Sequence, residues 1–367
     1  MEGAGLPMRW KSLLGLGAIV LAISACASDL KAAGDTAKTP LAKGVKWHPG
    51  HYMMVKTAAT QKEYVHPSFL GIQKFYYWKN LEPAQGRYDF SEIKSDLAFL
   101  GKHGKRLVIQ IQTKAFGEGA NVAPACLKNP EFGGGLYKTT TGSYNPVIWN
   151  DKVNARLLAL YRALGKEFNS DPYLEAVVIP ETAPSSSIAR GTPQPGVEPF
   201  TIRKFVDALK IGMKTLKDAF LNTVVIQYTN FPPEALQELT DYQKEIGVGL
   251  GGPDIRPYDT GLSGSSKGVY RFYPQLSGIV PLGTAVQSED YVRKTRKGPL
   301  DPTPVNEIYE FGRDKLHLNY IFWLDKPRYF DKVEAMMKSP WFPKDPAGGL
   351  DARCPKTIAP RLGEDKP

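Results

Sequence analysis

Short apolar runs alternate with longer amphipathic segments along most of this chain. Several runs, such as Leu107-Val108-Ile109, are apolar at consecutive positions, which indicates strands that are buried on both faces. The segments between them repeat their apolar residues every three or four positions, which is the period of an amphipathic helix. The segments Val153–Phe168 and Thr201–Phe220 are the clearest examples.

Eight strands can be counted, and helical segments separate most of them. Eight strand–helix alternations predict an α/β protein with a single (β/α)8 TIM barrel and a parallel eight-stranded core; an open doubly wound sheet is the alternative. No GxGxxG or GxxxxGK[ST] motif follows a strand, so we expect no nucleotide cofactor. The predicted strands are Val45–Val55, Leu70–Trp78, Arg106–Gln112, Leu174–Ile179, Thr223–Tyr228, Gly247–Gly251, Pro281–Ser288 and Leu318–Leu324.

The N-terminus has the features of an export signal. Arg9 and Lys11 precede the apolar run Leu13–Ile23, which is too short for a mature membrane-spanning helix. The following Ile23-Ser24-Ala25-Cys26 resembles the lipobox of bacterial lipoproteins, in which the cysteine is lipidated. We therefore expect an exported protein that Cys26 anchors to the periplasmic or outer-membrane face of the cell envelope. An ordinary secretory signal is the alternative. The predicted boundaries are a signal peptide at 1–25, a flexible tether at 26–42, the barrel at 43–341 and a tail at 342–367.

The formal net charge of +10 could indicate nucleic acid, an anionic membrane surface or an acidic substrate. Export argues against nucleic acid. The basic residues are scattered, with short clusters such as Arg293-Lys294-Thr295-Arg296-Lys297, so a solvated surface is favoured over a groove for an acidic glycan. Cys126 and Cys354 could form a disulfide in an oxidising compartment or remain free. The sequence does not fix the oligomeric state.

Candidate chemistry lies where the predicted strands end, because the active sites of (β/α)8 barrels lie at the carboxyl ends of the strands. Glu181 follows the fourth strand and Glu289 the seventh. Hydrolysis of a glycosidic bond needs two carboxyl groups, one to protonate the leaving oxygen and one to attack or stabilise the anomeric carbon. Because side chains alternate along a strand, we expect Glu289 to share the orientation of Gln287, with Asp290 pointing elsewhere. The candidate substrate-binding residues are His51, Trp78, Gln112, Tyr228, Asn230, Asp254 and Trp323.

Other chemistries have less support. The histidines of His48-Pro49-Gly50-His51 lack a third metal ligand nearby, so we expect no metal and place His51 in the sugar site. Glu82 lies in a turn before a proline, and we expect it to have a structural role. No G-x-S-x-G motif is present, which argues against an esterase.

The stretch from Tyr77 to Phe90, YWKNLEPAQGRYDF, is the most specific pattern in the chain. It resembles the W-x-x-[LI]-E-P-x-x-G-x-Y-D-F signature after the second strand of clan A glycoside hydrolases, particularly the family 42 β-galactosidase-like branch. The resemblance implies a retaining glycosidase on a carbohydrate substrate, with Glu181 as acid/base and Glu289 as nucleophile. Clan members have Asn immediately before the acid/base, where it binds the sugar 2-hydroxyl, and this chain has Pro180 at that position. We expect Asn230 or Gln112 to supply that donor, unless recognition has diverged or catalysis has been lost.

A function of another class also fits the sequence. A non-catalytic glycan-binding or envelope-assembly lipoprotein could use the same barrel. It predicts that the aromatic residues converge at the open end while either Glu181 or Glu289 is turned away or held in a salt bridge.

Overall fold

A computed structural model describes residues 46–55, 61–264, 268–295 and 298–358, and these residues form a closed parallel barrel. Each strand pairs in parallel with the next one along the chain, and the last strand pairs with the first. The predicted barrel is therefore confirmed, and the open sheet is wrong. The signal peptide, the tether and Cys26 lie outside the described residues. The strands are β1 (Gly50–Val55), β2 (Gly71–Tyr77), β3 (Arg106–Gln112), β4 (Leu174–Ile179), β5 (Val224–Tyr228), β6 (Gly249–Gly252), β7 (Leu282–Val286) and β8 (Tyr320–Leu324).

Helices surround most of the barrel. Six helices in the described ranges have at least six residues, and two of them, Asp151–Phe168 and Ile202–Ala219, correspond to the predicted helical segments. These helices are α1 (Ser91–Lys102), α2 (Asp151–Phe168), α3 (Ile202–Ala219), α4 (Leu236–Ile246), α5 (Val305–Glu310) and α6 (Pro327–Lys338). Shorter helical turns are Gln61–Tyr64, Trp78–Leu81, Ala125–Lys128, Pro130–Phe132, Ser186–Ala189, Pro233–Ala235, Thr260–Ser263, Tyr270–Phe272, Tyr273–Leu276 and Phe311–Lys315. Two hairpins lie outside the barrel, Leu136–Lys138 with Tyr144–Pro146 and Val292–Thr295 with Gly298–Pro302.

Aromatic side chains fill the barrel interior, and glycines on β6 and β7 make room for them. The rings of Tyr320 and Phe322 stack with their centroids 6.1 Å apart. A Cβ atom on Gly251 would lie 2.6 Å from the ring of Tyr228, and one on Gly283 would lie 3.3 Å from the ring of Phe322. The interior is therefore a packed core and not a pore.

Chain segments from both ends of the described structure cover the amino ends of the strands. The Trp47 indole donates to the carbonyl of Ala352 at 3.0 Å, and the Asp351 amide donates to the carbonyl of Leu318 at 3.0 Å. Part of the segment predicted as a tail thus packs across this end, and the barrel is open at its carboxyl end. In the described ranges no helix is long and apolar enough to cross a membrane. Cys126 and Cys354 are free thiols, so the disulfide alternative is wrong.

Candidate active site

Glu181 stands at the open end of the barrel, two residues beyond β4. Its side chain is half-buried, and its Oε2 atom accepts a hydrogen bond from Nδ2 of Asn230 at 2.7 Å. Asn230 lies two residues beyond β5, so two neighbouring strands bring this carboxylate and amide together. Asn230 therefore lies beside Glu181, and its predicted bond to the sugar 2-hydroxyl stays a prediction.

The backbone around Glu181 is fixed by its neighbour Thr182. The buried Thr182 hydroxyl accepts from the amides of Asn230 and Phe231 at 3.1 Å and 3.0 Å, and it donates to the carbonyl of Phe231. These bonds join the loops after β4 and β5. Catalytic side chains need this kind of support, because a displacement of about 1 Å can cost about 100-fold in rate.

Lys114, a half-buried lysine that the sequence did not indicate, borders the same small cavity as Glu181. Lys114 is two residues beyond β3, and its ammonium donates to the carbonyl of Ala183. Burial lowers the pKa of Lys114 to about 8, and the negative charge of Glu181 opposes this change. Gln112, a predicted substrate contact, donates to the carbonyl of Lys114 at 2.6 Å and accepts from Gln110 at 3.1 Å. In this structure Gln112 therefore supports the lysine.

A second group of charged side chains follows β6 and β7. Arg256 donates to Asp254 at 2.8 Å and to Asp290 at 2.7 Å. Burial raises the pKa of Asp254, Arg256 opposes that rise, and the charges of Glu181 and Glu289 add to it. Burial and the charge of Asp254 likewise raise the pKa of Asp290 well above its ordinary value. Asp254, predicted as a substrate contact, is thus within electrostatic range of both predicted catalytic glutamates.

Glu289 is exposed, whereas its neighbour Asp290 is buried. Strand β7 ends at Val286, and the Asp290 amide donates to the carbonyl of Gln287 at 3.1 Å, which closes a turn. The strand alternation that predicted the orientation of Glu289 therefore stops before this residue. Glu289 borders a surface cavity together with Arg256 and other residues of the β6 loop.

The predictions that Trp78 and Trp323 bind the substrate are wrong. Trp78 is fully buried between the barrel and the outer layer, and its indole donates to Glu82 at 2.9 Å. Trp323 is also fully buried, because the alternation along β8 turns it away from the interior, and its indole donates to Nδ1 of His51 at 3.0 Å. Neither ring presents a face to a ligand at the open end.

The placement of His51 in the sugar site is also wrong. His51 is the second residue of β1, so it lies at the amino end of the barrel and not at the open end. It is only 4% exposed, and its Nε2 atom lies 3.2 Å from the carbonyl of Gly348. Burial lowers the pKa of His51 to about 4, which keeps the imidazole neutral.

Tyr228, which was predicted to bind the substrate, and Glu82, which was predicted to have a structural role, are both buried. The Tyr228 hydroxyl accepts from Nε2 of Gln73 at 2.9 Å inside the barrel, so the ring forms the floor beneath the site. Glu82 accepts from the Gly86 amide at 2.8 Å and pairs with Arg156. The structural role predicted for Glu82 is confirmed.

Two aromatic side chains that the sequence analysis missed are exposed in loops after the strands. Phe116 follows β3 and is 65% exposed, and Tyr258 follows β6 and is 46% exposed. Tyr258 borders the same cavity as Glu289. The only sequence signal for them is an aromatic residue within six positions of a strand end. Over the described residues, no cluster of three or more His, Cys, Asp or Glu side chains could hold a metal ion.

Solved structures share this barrel at low sequence identity. The catalytic domain of a β-amylase from Paenibacillus polymyxa has a TM-score of 0.50 and 12% identity, over 88% of this chain and all of that chain. A β-galactosidase from Bacillus circulans sp. alkalophilus has a TM-score of 0.52 and 10% identity, over 77% of this chain. The match spans about half (51%) of that β-galactosidase. No family model and no curated protein matches the chain. At this identity the similarity shows the fold alone, and the chain therefore has the eight-stranded parallel barrel of these glycosidase structures.

Proposed function

We propose that this protein is a glycoside hydrolase whose active site is the open end of the barrel. One observation carries the proposal: Glu181, which accepts a hydrogen bond from Asn230 at 2.7 Å, follows β4 at the same open end where Asp254 follows β6 and Glu289 follows β7. Glycosidic hydrolysis requires a pair of carboxyl groups, and the barrel opening carries such groups.

The proposed reaction retains the anomeric configuration. Glu181 protonates the leaving oxygen as the general acid, and Glu289 attacks the anomeric carbon to form a covalent glycosyl-enzyme. Glu181 then acts as the general base that activates water to hydrolyse it. In support of this assignment, Glu181 is half-buried and hydrogen-bonded, whereas Glu289 is exposed beside a cavity that a sugar could enter.

Recognition of the sugar would use side chains around these two glutamates. Asn230 and Asp254 can bond sugar hydroxyl groups, and the exposed ring of Tyr258 can stack on the apolar face of a pyranose. Tyr258 takes the place of the two buried tryptophans in this proposal. The proposed substrate is an oligo- or polysaccharide.

The test is a panel of aryl glycosides and oligosaccharides, with Glu181→Gln as the control for contaminating activity. We expect hydrolysis by the wild type, loss of it in the variant, and retained configuration in the first product seen by ¹H NMR. Early inversion would remove Glu289 as the nucleophile. Binding of a glycan without hydrolysis, equal in wild type and variant, would favour the non-catalytic glycan-binding alternative.

We also propose that the protein is exported and anchored to the cell envelope through a lipid on Cys26, with no other contact to the membrane. The support is the lipobox-like Ile23-Ser24-Ala25-Cys26 after a short apolar run. Mass spectrometry of the mature N-terminus should find a diacylglyceryl cysteine. An unmodified N-terminus at another residue would indicate an ordinary secretory signal.

A further inference from the structure

We propose that Lys114 binds an anionic group of the substrate, so that the glycan bound at the open end is an acidic one, with a carboxylate or a sulfate on the sugar beside Glu181. This inference rests on the proposed glycosidase function and names its substrate class. It gives a positive charge inside the site a role that the resemblance to clan A does not assign. The scattered surface lysines are not needed for this role.

Lys114 is held at the open end without a charged partner. Its carbonyl accepts from Nε2 of Gln112 at 2.6 Å, and its ammonium donates to the carbonyl of Ala183, two residues after Glu181. No acidic side chain forms an ion pair with Lys114 in the part of the chain that the structure describes. An ammonium group has three N–H donors, so further donors are free to meet a ligand.

The surroundings of Lys114 strengthen its interaction with an anion. The half-buried side chain borders one small cavity with Glu181, between the barrel and helices α2 and α3. Charges away from water are normally paired, because their desolvation is costly. A charge-assisted hydrogen bond in such surroundings is stronger than one in water. An anionic substituent at this place would therefore distinguish acidic from neutral sugars. The α3 side chains that line the cavity are apolar at Phe205, Leu209 and Met213.

The ionisable groups around Lys114 do not neutralise it. Among the described residues that line the cavity, Glu181 and Tyr161 are the others that ionise, and α3 contributes none. Burial raises the pKa of Tyr161, so its phenol is neutral. Glu181 is protonated in the proposed acid step, which leaves the ammonium uncompensated at that step. Burial lowers the pKa of Lys114 to about 8, and the charge of Glu181 opposes this change. The ammonium is therefore charged at pH 7 and loses its proton as pH rises above about 8.

The experiment compares the binding of matched p-nitrophenyl β-glycosides by isothermal titration calorimetry at pH 7. The acidic probes are the glucuronide, the galacturonide and the 6-sulfated galactoside, and the neutral partners are the glucoside and the galactoside. The protein is the full-length chain carrying Glu181→Gln, which imitates the protonated carboxyl group and does not turn the probes over. We expect at least one acidic probe to bind about 10-fold more tightly than its neutral partner. The carboxylate and sulfate probes show which anion fits.

Substitutions at Lys114 test whether this residue causes the preference. Lys114→Met should reduce the preference to about 2-fold or less, whereas Lys114→Arg keeps the charge and should retain it. At pH 9.5 the preference should fall in the protein with Lys114 but persist in Lys114→Arg, because arginine stays protonated. The matched control, Lys79→Met, removes an exposed lysine from the turn after β2 and should leave the preference unchanged.

Equal or undetectable affinity for the acidic probes, or a preference that survives Lys114→Met, would overturn the proposal. If Lys114→Met does not fold, Lys114→Arg and the pH dependence still test it.

The two proposals can fail separately, because binding does not require turnover. A preference that depends on Lys114, without hydrolysis of any glycoside by the chain with Glu181 intact, would leave the anion site standing and defeat the glycosidase. Hydrolysis of neutral glycosides without any preference for acidic ones would leave the glycosidase standing and defeat the acidic substrate.

Discussion

Strand β4 has one glutamate near its amino end, Glu175, and another two residues beyond its carboxyl end, Glu181, and the two have opposite surroundings. Glu175, at the closed amino end, is fully buried. It accepts from the amide and ring of His48 at 2.6 Å and 2.9 Å and from the Tyr320 hydroxyl at 2.9 Å, with Arg106 at 3.6 Å. Glu181, at the open end, is half-buried, and Asn230 is the side-chain donor to it among the described residues. One end of the strand satisfies its carboxylate fully, and the other leaves it accessible.

The difference separates a structural charge from a candidate catalytic one. Burial raises the pKa of Glu175, but the hydrogen bonds and charge of His48 and the charge of Arg106 outweigh it and hold that pKa below its ordinary value. Glu175 is therefore ionised near neutral pH and joins the segment before β1 to the strands. Glu181 has free acceptor positions, which a substrate hydroxyl or leaving group could use.

The largest expected effect comes from removing either of the two proposed catalytic carboxyl groups at the open end. Glu181→Gln and Glu289→Gln should each lower kcat on a cleavable glycoside by about 1,000-fold or more, because each removes a proton donor or a nucleophile from the transition state. Steady-state kinetics on a substrate identified by the panel would measure this.

The control for these variants is stability. Both side chains lie at or near the surface, so the free energy of unfolding should change by less than about 0.5 kcal/mol. A large loss of stability in Glu181→Gln would mean that the two ends of β4 do not differ as described.

The matched substitution at the closed end should give the opposite result. Glu175→Gln should lower the free energy of unfolding by about 3 kcal/mol, because it leaves Arg106 and His48 without their buried charge partner. Urea denaturation measures the loss, and kcat of the folded fraction should remain near wild type.

Because the pKa of Glu175 is lowered, the stabilisation that Glu175 provides is present above the unfolded pKa and disappears as pH falls through the folded pKa. The gap between wild type and variant should therefore close in acid.

The sequence predicted the barrel well because its signals are local. The apolar runs of β3 and β4 have the predicted bounds, since a strand buried on both faces must be apolar throughout. The strand ends also pointed correctly to Glu181 and Asp254 at the open end. Asn230 lies beside Glu181, and its predicted bond to a sugar hydroxyl stays a prediction.

The orientations of individual side chains were harder to predict. Trp78 and Trp323 lie at strand ends, but their indoles find polar partners inside the outer layer. His51 was assigned to the wrong end because the predicted first strand began before the turn that precedes β1. No sequence pattern pointed to Lys114, because its position depends on a hydrogen bond to a carbonyl 69 positions later in the chain.

His51 at the closed end gives a smaller effect that depends on pH. Its folded pKa of about 4 lies below the unfolded value of about 6.5, so the unfolded state binds the proton first as pH falls. Stability should therefore be full above pH 6.5 and fall by about 2 kcal/mol at pH 5. Urea titrations at pH 7 and pH 5 measure this difference. His51→Gln should be less stable at pH 7 but lose less on acidification; an identical pH dependence in the variant would assign the acid sensitivity to other groups.

The smallest effect tests an aromatic ring at each end of the barrel. Tyr258 is 46% exposed beside the cavity that Glu289 borders, whereas Tyr320 is fully buried and bonds Glu175. Tyr258→Ala should raise KM about 5-fold with little change in kcat, since a lost stacking contact is worth about 1 kcal/mol. Tyr258→Phe keeps the ring and should bind like wild type, although it loses the contact with Glu307. Tyr320→Phe should instead leave KM unchanged and cost about 1 kcal/mol of stability, because it removes a donor from a buried carboxylate. If Tyr258→Ala and Tyr258→Phe raise KM equally, the hydroxyl and not the ring meets the substrate, and stacking at this position is wrong.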